Sequence, residues 1–476
     1  MYKNKIIKNY LYNISFQLLV MILPLITTPY VSRVIGADGI GAYSYTQSLT
    51  YYFILFGCVG LNLYGQKEIA YVQDDKKRRS SIFFELIFIR FFTNGVSIAL
   101  FSLIFLGHTR YHTLFLIQIL DIAASCIDIS WFFQGLEDFK KIVIRNFIIK
   151  LAGVIMIFTL VKQPGDLYLY VLCYSSTLFL GNASMWIYIP RFVSKVSWKA
   201  IELKKHVRPA LILFLPQIAT SIYNVLDKTM IGALTGIDAE VAYYEQAQKI
   251  VKVALAFITS LGVVMLPRVA AVFSQRNFDQ IKLYMSRSFQ FVFFLGLPLT
   301  FGLIGISKGL VPWFYGEGFD KVYPNIIIIS PIILVVGITN VIGVQYLLPT
   351  NRQKDYLISV VVGSLINLCM NFLLIPRMQS IGAAASTVIA ETSVMICQIY
   401  FVRKEFDICV ILKGMINYLF GSGIMLIVIV FLSRRLPVSI ISTLIEIFAG
   451  ILIYILVLFI LKDNVLDKCK NKIIKR

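Results

Sequence analysis

The sequence predicts an all-α integral membrane protein that crosses the bilayer about 14 times. Hydrophobic residues make up 58% of its 476 residues and charged residues only 15%, against about 45–50% and about 25% in ordinary globular domains. The mean hydropathy is +0.78. Apolar runs of about 20 residues recur from one end of the chain to the other, and each is long enough to span a hydrocarbon core as a helix.

Charged and turn-forming residues separate these runs. The predicted helices lie near residues 10–32, 41–66, 81–106, 112–135, 142–161, 167–189, 209–232, 241–267, 286–307, 322–348, 355–375, 381–402, 412–433 and 439–461. Pro24 and Pro29 interrupt the first run, which lacks an evident cleavage site. This run therefore predicts a retained, kinked transmembrane helix rather than a signal peptide.

Basic residues are distributed unevenly between the two sides of the predicted membrane. With the N-terminus placed in the cytoplasm, the inner connections and termini hold 32 of the 45 lysines and arginines, whereas the outer connections hold eight. This asymmetry follows the positive-inside rule and predicts cytoplasmic N- and C-termini in the cell (plasma or inner) membrane. The net charge of +20 is then a consequence of topology and does not indicate nucleic-acid binding.

Little in the sequence suggests an enzyme. Three histidines and seven cysteines without a CxxC pair predict neither a metal site nor a disulfide framework. The longest predicted connection, 190–208, is shorter than 20 residues, whereas membrane glycosyltransferases and polymerases usually carry a sizeable external loop. We therefore expect a protein without catalytic residues or a cofactor, in which H⁺ or Na⁺ could serve as a coupling ion.

A short internal repeat relates the predicted first and seventh helices. Ile35-Gly36 precedes Tyr43-x-x-x-Gln47, and Ile231-Gly232 precedes Tyr244-x-x-x-Gln248, a separation of 196 to 201 residues. A spacing of one six-helix lobe predicts two pseudo-symmetric lobes around a central cavity, although so short a match could also arise by chance. The predicted parts are an N-lobe (1–190), a cytoplasmic loop (191–208), a C-lobe (209–403), two additional helices (411–461) and a basic cytoplasmic tail (462–476).

More than three residues from either end of a predicted span lie five basic residues: Arg90, Lys150, Lys228, Lys249 and Lys252. Facing lipid, each would cost about 2.5–3.5 kcal/mol at a helix centre. One interpretation is a cationic cavity that binds an anionic headgroup, such as a diphosphate, whose oxygens suit the planar guanidinium of arginine. The alternative is that each charge is ion-paired or reaches an interface near a helix end.

The spacing of these charges refines the first interpretation. Arg33 and Lys228 occupy nearly equivalent places in the two repeats. Lys249 and Lys252 share one helical face, and Glu245 precedes Lys249 by one turn, so Glu245 is a candidate partner that would neutralise Lys249.

Three carboxylates inside predicted spans are candidates for ion coupling. Asp121 and Asp128 are seven residues apart on one stripe of the fourth helix, and Glu391 lies on the twelfth. Structural pairing with Arg90 or Lys228 is the alternative.

The tyrosine and glutamine side chains of the repeat are candidates for a glycan path, because rings and amides can contact sugars. They are Tyr43, Gln47, Tyr244 and Gln248. Packing inside the helical core is the alternative for each of them.

Several motifs carry a resemblance to a known family. They are Asn9-Tyr10-Leu11-Tyr12-Asn13, Pro24-Leu25-Ile26-Thr27-Thr28-Pro29-Tyr30, Arg33-Val34-Ile35-Gly36, Trp131-Phe132-Phe133-Gln134-Gly135-Leu136-Glu137 and Leu347-Leu348-Pro349-Thr350-Asn351-Arg352-Gln353-Lys354. With them the chain resembles the Wzx-type polysaccharide repeat-unit flippases of the multidrug/oligosaccharidyl-lipid/polysaccharide exporter superfamily. The resemblance extends over essentially the whole chain.

The resemblance implies translocation of undecaprenyl-diphosphate-linked oligosaccharide units from the cytoplasmic to the outer leaflet, for capsule or other surface polysaccharides. It also implies a cationic cavity between two lobes. By their positions in the chain, Arg33 and Arg90 are the residues expected to bind the substrate there. The polysaccharide polymerase and a chain-length regulator are the expected protein partners. A small-molecule or drug antiporter of the same superfamily, a membrane-embedded glycosyltransferase or polymerase, and a membrane scaffold are the alternatives.

Overall fold

The computed structural model describes residues 2–107, 110–196, 201–407, 411 and 413–463, and the regular structure in this part of the chain is helical. Outside it lie residues 197–200 of the predicted cytoplasmic loop, residue 412 of the predicted thirteenth helix and residues 464–476 of the predicted tail. Packing divides the chain into two compact units: unit 1 comprises Met1–Gly232 and Ile237–Ala242, and unit 2 comprises Ala233–Gly236 and Tyr243–Arg476.

Helices form nearly all of unit 1. They are α1 (Tyr2–Cys58), α2 (Leu61–Tyr71), α3 (Lys76–Phe105), α4 (His112–Cys126), α5 (Ser130–Gly135), α6 (Phe139–Leu160), α7 (Leu167–Met185), α8 (Ile189–Phe192) and α9 (Lys204–Thr235). Most of α9 packs in unit 1, whereas the repeat predicts that the C-lobe begins at residue 209. The lobes were predicted from the symmetry of the repeat, whereas the two units are defined by packing. The units therefore do not test the lobes, which stay a prediction.

The remaining helices form unit 2. They are α10 (Asp238–Ser274, whose first turn packs in unit 1), α11 (Phe278–Tyr315), α12 (Val322–Ile329), α13 (Ile332–Thr339), a π-helix (Asn340–Leu347), α14 (Gln353–Val402), α15 (Ile416–Ser433) and α16 (Ile440–Ile460). Helices α15 and α16 pack on each other and on α11.

Ten helical segments in the described part of the chain are long and apolar enough to cross a membrane. Two of them, Leu23–Tyr71 and Gln353–Val402, each cover two predicted spans, the first of which (10–32) is covered from Leu23 onwards. Non-helical backbone at Gly36 (φ 76°) and Gln379 (φ 56°) separates the two spans in each case. Helices α7 and α9 correspond to the remaining two predicted spans. The described helices thus match all the spans predicted from the sequence and confirm the all-α membrane fold.

Two of the motifs behind the family resemblance form the same kind of helix end. In unit 1 the amide of Asp138 donates to the Phe133 carbonyl at 2.9 Å, and in unit 2 the amide of Arg352 donates to the Leu347 carbonyl at 2.9 Å. The preceding residues, Glu137 and Asn351, have φ of 54° and 62°. In each case an amide donates to the carbonyl five residues earlier, directly after a residue in the left-handed conformation. This is the Schellman motif, which provides hydrogen-bond donors for the last carbonyls of a helix.

Beyond the helix end the two motifs differ. The rings of Trp131, Phe132 and Phe133 are at most 2% exposed and form the core at one end of unit 1. In unit 2, Arg352 pairs with Asp355 and Glu405, each at 2.7 Å. Partial burial would lower the pKa of Arg352, but its hydrogen bond with Asp355 and the charge of Glu405 raise it above the usual value. The first motif therefore stabilises its unit by apolar packing, whereas the second ties two helix ends together by charge.

Candidate substrate-binding residues

Arg33 lies on α1, three residues before the kink at Gly36, and its side chain is exposed. Its Nη1 donates to the carbonyl oxygen of Pro29 at 2.7 Å. This bond holds the guanidinium along its own helix.

Lys228 is half-buried on α9 within unit 1. Beside it in sequence, the Thr229 hydroxyl lies 2.9 Å from Ser48 Oγ and 3.1 Å from Tyr52 Oη, both on α1. One turn further along α9, a Cβ at Gly232 would lie 2.1 Å from the Tyr45 ring. Close packing at Gly232 and the hydroxyl contacts hold this part of α9 on α1 and thereby position Lys228.

Arg90 is buried on α3, with 1% of its surface exposed. Its Nε donates to the Ser125 carbonyl at 2.7 Å, and Nη1 donates to Asn62 Oδ1 at 2.6 Å. Asp128 Oδ2 lies 4.0 Å from Nη2. In the described conformation Arg90 thus joins three segments of unit 1, and its predicted role in binding substrate stays a prediction.

The candidate coupling carboxylates have different surroundings. Asp128 accepts from the amide of Ser130 at 2.9 Å and from its hydroxyl at 2.5 Å. Asp121 is 3% exposed, and its Oδ1 has no hydrogen-bond partner among the described residues. Glu391 is half-buried on α14 of unit 2. The structure therefore brings Asp128 to Arg90, as the pairing alternative expects.

The Tyr-x-x-x-Gln motifs have the same local geometry in both units. Gln47 Nε2 donates to the Tyr43 hydroxyl at 2.8 Å, and Gln248 Nε2 donates to the Tyr244 hydroxyl at 3.1 Å. Tyr43 is 7% exposed and packs edge-on against Tyr170, whereas Tyr244 is fully buried. Both tyrosines hold the glutamine amide in place, and only the glutamines are partly exposed for a glycan to contact.

The basic residues of α10 continue from this motif. Lys249 Nζ lies 3.0 Å from Glu245 Oε1, so the predicted pairing of these two residues is confirmed. Lys252 Nζ donates to Gln248 Oε1 at 3.0 Å, and the lysine is exposed. Tyr244, Gln248 and Lys252 thus form a connected hydrogen-bonded row along one helix face.

Arg145 is a half-buried cation that was counted with a cytoplasmic connection, although it lies three residues inside the predicted span 142–161. It lies in the first half of α6, and its Nη1 donates to Asn182 Oδ1 at 3.0 Å while Nη2 donates to Ser130 Oγ at 3.2 Å. Ser130 also donates to Asp128. Arg145 therefore belongs to the same polar network as Arg90, which its position near the start of a predicted span did not indicate.

A second network escaped sequence reasoning because its members are far apart in the chain. Glu85 on α3 is fully buried and accepts from the Glu202 amide at 3.0 Å and from Lys205 Nζ at 3.1 Å. His206 Nε2 lies 2.8 Å from its other oxygen, and His206 Nδ1 lies 2.8 Å from the Tyr64 hydroxyl. The signal in the sequence was an acid inside a span together with Lys205-His206 at the start of α9.

The helical architecture is similar to that of membrane transporters of known structure. A lipid II flippase MurJ in an inward closed conformation matches 96% of this chain and 100% of its own, with a TM-score of 0.71 and 18% identity. An inward-facing multidrug resistance MATE family transporter of the MOP superfamily matches 83% of this chain and 99% of its own, with a TM-score of 0.59 and 13% identity. This chain therefore shares the all-α fold of these membrane proteins.

Residues 6–273, more than half of the chain, match the model of a family described as polysaccharide biosynthesis protein. The chain belongs to this family. A relative in Escherichia coli (strain K12) that is named as an O-antigen transporter is 23% identical over 394 residues, which cover 81% of this chain and 93% of the relative. The lipid II flippase MurJ of Bacillus subtilis (strain 168) is 24% identical over 185 residues, which cover 37% and 34%. These relatives are transporters rather than enzymes.

Proposed function

We propose that this protein is a flippase that moves undecaprenyl-diphosphate-linked oligosaccharide repeat units from the cytoplasmic to the outer leaflet, for O-antigen, capsular or other surface polysaccharides. The names of the relatives support the proposal, since one is an O-antigen transporter and another a lipid II flippase. The family model, which concerns polysaccharide biosynthesis, supports it as well.

The observation that carries the proposal is the exposure of cations on membrane-crossing helices. Lys252 is exposed inside a segment that is apolar enough to span a bilayer, and Arg33 is exposed directly after the first predicted span (10–32). A cation in such a position is costly when it faces lipid, whereas a diphosphate would form charge-assisted hydrogen bonds with it. The proposed diphosphate-binding set comprises Arg33, Arg90, Lys228, Lys249 and Lys252, which would line the cationic cavity.

The remaining steps of the mechanism follow from the chemistry of the substrate. The polyprenyl tail stays in lipid, while the diphosphate and glycan pass through the polar path by alternating access. Gln47 and Gln248 are proposed contacts for the glycan, together with Tyr43 and Tyr244. Asp121, Asp128 and Glu391 are the proposed coupling carboxylates. In the proposed orientation both termini are cytoplasmic in the cell (inner) membrane, next to the polymerase and a chain-length regulator.

The leaflet distribution of lipid-linked glycans in cells depleted of this protein tests the proposal. Completed units are expected to accumulate and to stay inaccessible to a lectin added outside intact protoplasts. If full-length units still reach the outer leaflet at the normal rate without another flippase, the protein has a different function. Altered drug sensitivity together with normal glycan export would instead favour the alternative, a drug antiporter.

Substitution of Arg33 tests the proposed diphosphate site. Arg33→Ala is expected to lower the rate of glycan exposure at least tenfold, because a charge-assisted contact of about 1.5–3 kcal/mol would be lost. Arg403→Ala is a matched control, since Arg403 is also exposed and donates to a carbonyl of its own helix, that of Tyr400, at 2.6 Å. Equal rates for the two variants would remove Arg33 from the site.

A further inference from the structure

Glu446 is a buried acid in the additional helix pair of unit 2. It lies on α16, one turn after Thr443, and is 2% exposed. It faces α11 at Gly309, where a Cβ would lie 3.8 Å from its Oε2. The Ser433 hydroxyl at the end of α15 lies beside it, since its Oγ would also lie 3.8 Å from that Cβ. Three helices therefore enclose one carboxyl group.

Its second oxygen lacks a partner. Among the described residues, Oε2 of Glu446 forms no hydrogen bond. The charged residues at this end of the enclosing helices are Lys308 on α11 and Arg434 and Arg435 after α15, and all three are exposed. The other charged residues of α11 are Asp279, Lys282 and Arg287, which lie in its first ten residues, at the opposite end of that helix. The other titratable group on this face of α16 is Tyr454, whose hydroxyl donates to the Phe294 carbonyl at 2.8 Å. No ion pair with Glu446 occurs within the part of the chain that the structure describes.

An ionised carboxylate is poorly suited to these surroundings. Burial removes its hydration, and a single hydroxyl does not replace it. A metal cation would need several oxygen ligands, and the described residues contain no group of three His, Cys, Asp or Glu side chains that could hold a metal. A proton on Oε2 removes the charge and leaves the other oxygen to accept from Ser433.

The contacts around Glu446 show what its ionisation would disturb. One turn before it, Trp313 Nε1 on α11 donates to Thr443 Oγ1 at 2.8 Å. One turn after it, a Cβ at Gly450 would lie 2.8 Å from Ile429 of α15. A charge between these two close contacts has to be hydrated, and hydration requires the helices to separate.

We propose that Glu446 is a proton-binding site whose protonated form holds α16 against α11 and α15. Loss of the proton loosens the packing at the end of α16 that contains Thr443. This inference goes beyond the proposed function, because it concerns a proton and holds whichever substrate is moved.

Infrared spectroscopy of the purified, membrane-reconstituted protein at neutral pH tests the site directly. The spectrum of the wild type minus that of Glu446→Gln is expected to contain the carbonyl stretch of a protonated carboxyl, shifted in D₂O. The same difference for Glu317→Gln, at an exposed loop residue, is expected to contain only carboxylate bands. Carboxylate bands in the Glu446 difference would overturn the proposal.

Two further measurements do not depend on the glutamine variant alone. Ser433→Ala is expected to shift the carbonyl band of Glu446, because the band responds to the lost hydrogen bond. Raising the pH is expected to change tryptophan emission in the wild type, through Trp313, and not in Glu446→Gln. An unshifted spectrum in Ser433→Ala, or the same emission change in both proteins, would also contradict the proposal. None of these measurements requires transport, so a failure of this proposal can be distinguished from a failure of the proposed flippase function.

Discussion

Glu85 in unit 1 and Glu446 in unit 2 are both almost completely buried, at 0% and 2% exposure, yet the protein accommodates them in opposite ways. Glu85 accepts from a backbone amide and lies within 3.1 Å of a lysine and a histidine nitrogen. Glu446 has a serine hydroxyl and an oxygen without a partner. The first environment suits an ion, and the second suits a neutral acid.

The difference shows that burial alone does not determine how a membrane-embedded acid contributes to stability. Removing one partner from a buried ion pair leaves the other charge without compensation and is strongly destabilising, whereas an apolar group often replaces buried polar atoms without loss. Substituting the two acids is therefore expected to have opposite consequences.

The largest effect is expected at Glu85. Glu85→Leu leaves Lys205, His206 and the Glu202 amide without their acceptor, and the free energy of unfolding is expected to fall by about 3–5 kcal/mol. Denaturant titration in mixed micelles measures it. Glu202→Gln is the matched control, because Glu202 lies 3.7 Å from the same Lys205 with 74% of its side chain exposed, and such a pair contributes at most about 1 kcal/mol. Similar losses for both variants would show that burial of the network is unimportant.

An intermediate effect is expected at Tyr64. Tyr64→Phe removes the hydroxyl that satisfies His206 Nδ1 and is expected to lower the free energy of unfolding by about 1–3 kcal/mol. In the Glu85→Leu background the loss is expected to be smaller, because the histidine is no longer fixed by the carboxylate. A double-mutant cycle measures this coupling, and strictly additive losses would mean that the two contacts are independent.

The smallest effect is expected at Glu446, and its sign is different. Glu446→Met replaces a neutral acid by an apolar side chain of similar length, and the free energy of unfolding at neutral pH is expected to stay unchanged or to rise by about 1 kcal/mol. Glu446→Lys places a charge at the same site and serves as the destabilising comparison. A loss for Glu446→Met as large as that for Glu85→Leu would show that Glu446 is an ion with a partner.

Contacts within one helix could be predicted from the sequence. Residues four positions apart on a helix face each other, so the spacing of Glu245 and Lys249 was sufficient to predict their pairing, and Tyr43 and Gln47 are neighbours for the same reason. The predicted break between the spans 10–32 and 41–66 also agrees with the structure. Gly36 lies in this break and interrupts α1 with a positive φ, which glycine adopts without strain.

Contacts between helices could not be predicted in this way. Arg90 reaches Ser125 across 35 residues, and Glu85 reaches His206 across 121. Each contact depends on which helices are neighbours and how each is rotated about its axis, and hydrophobic runs that face lipid or the core look alike in sequence. Arg145 was missed for a related reason, since its position near the start of a predicted span did not show that Asn182 and Ser130 accept from it.

The sequence by itself determined the position and order of the membrane-spanning segments and the pairing of Glu245 with Lys249 within a single turn. Length and hydropathy decide whether a segment can cross a bilayer, and local helical geometry decides which residues four positions apart meet. Only the tertiary structure decided that Glu85 is surrounded by donors and that Glu446 is not. The reason is physical: the environment of a buried acid is made by the helices packed against it, and those come from distant parts of the chain.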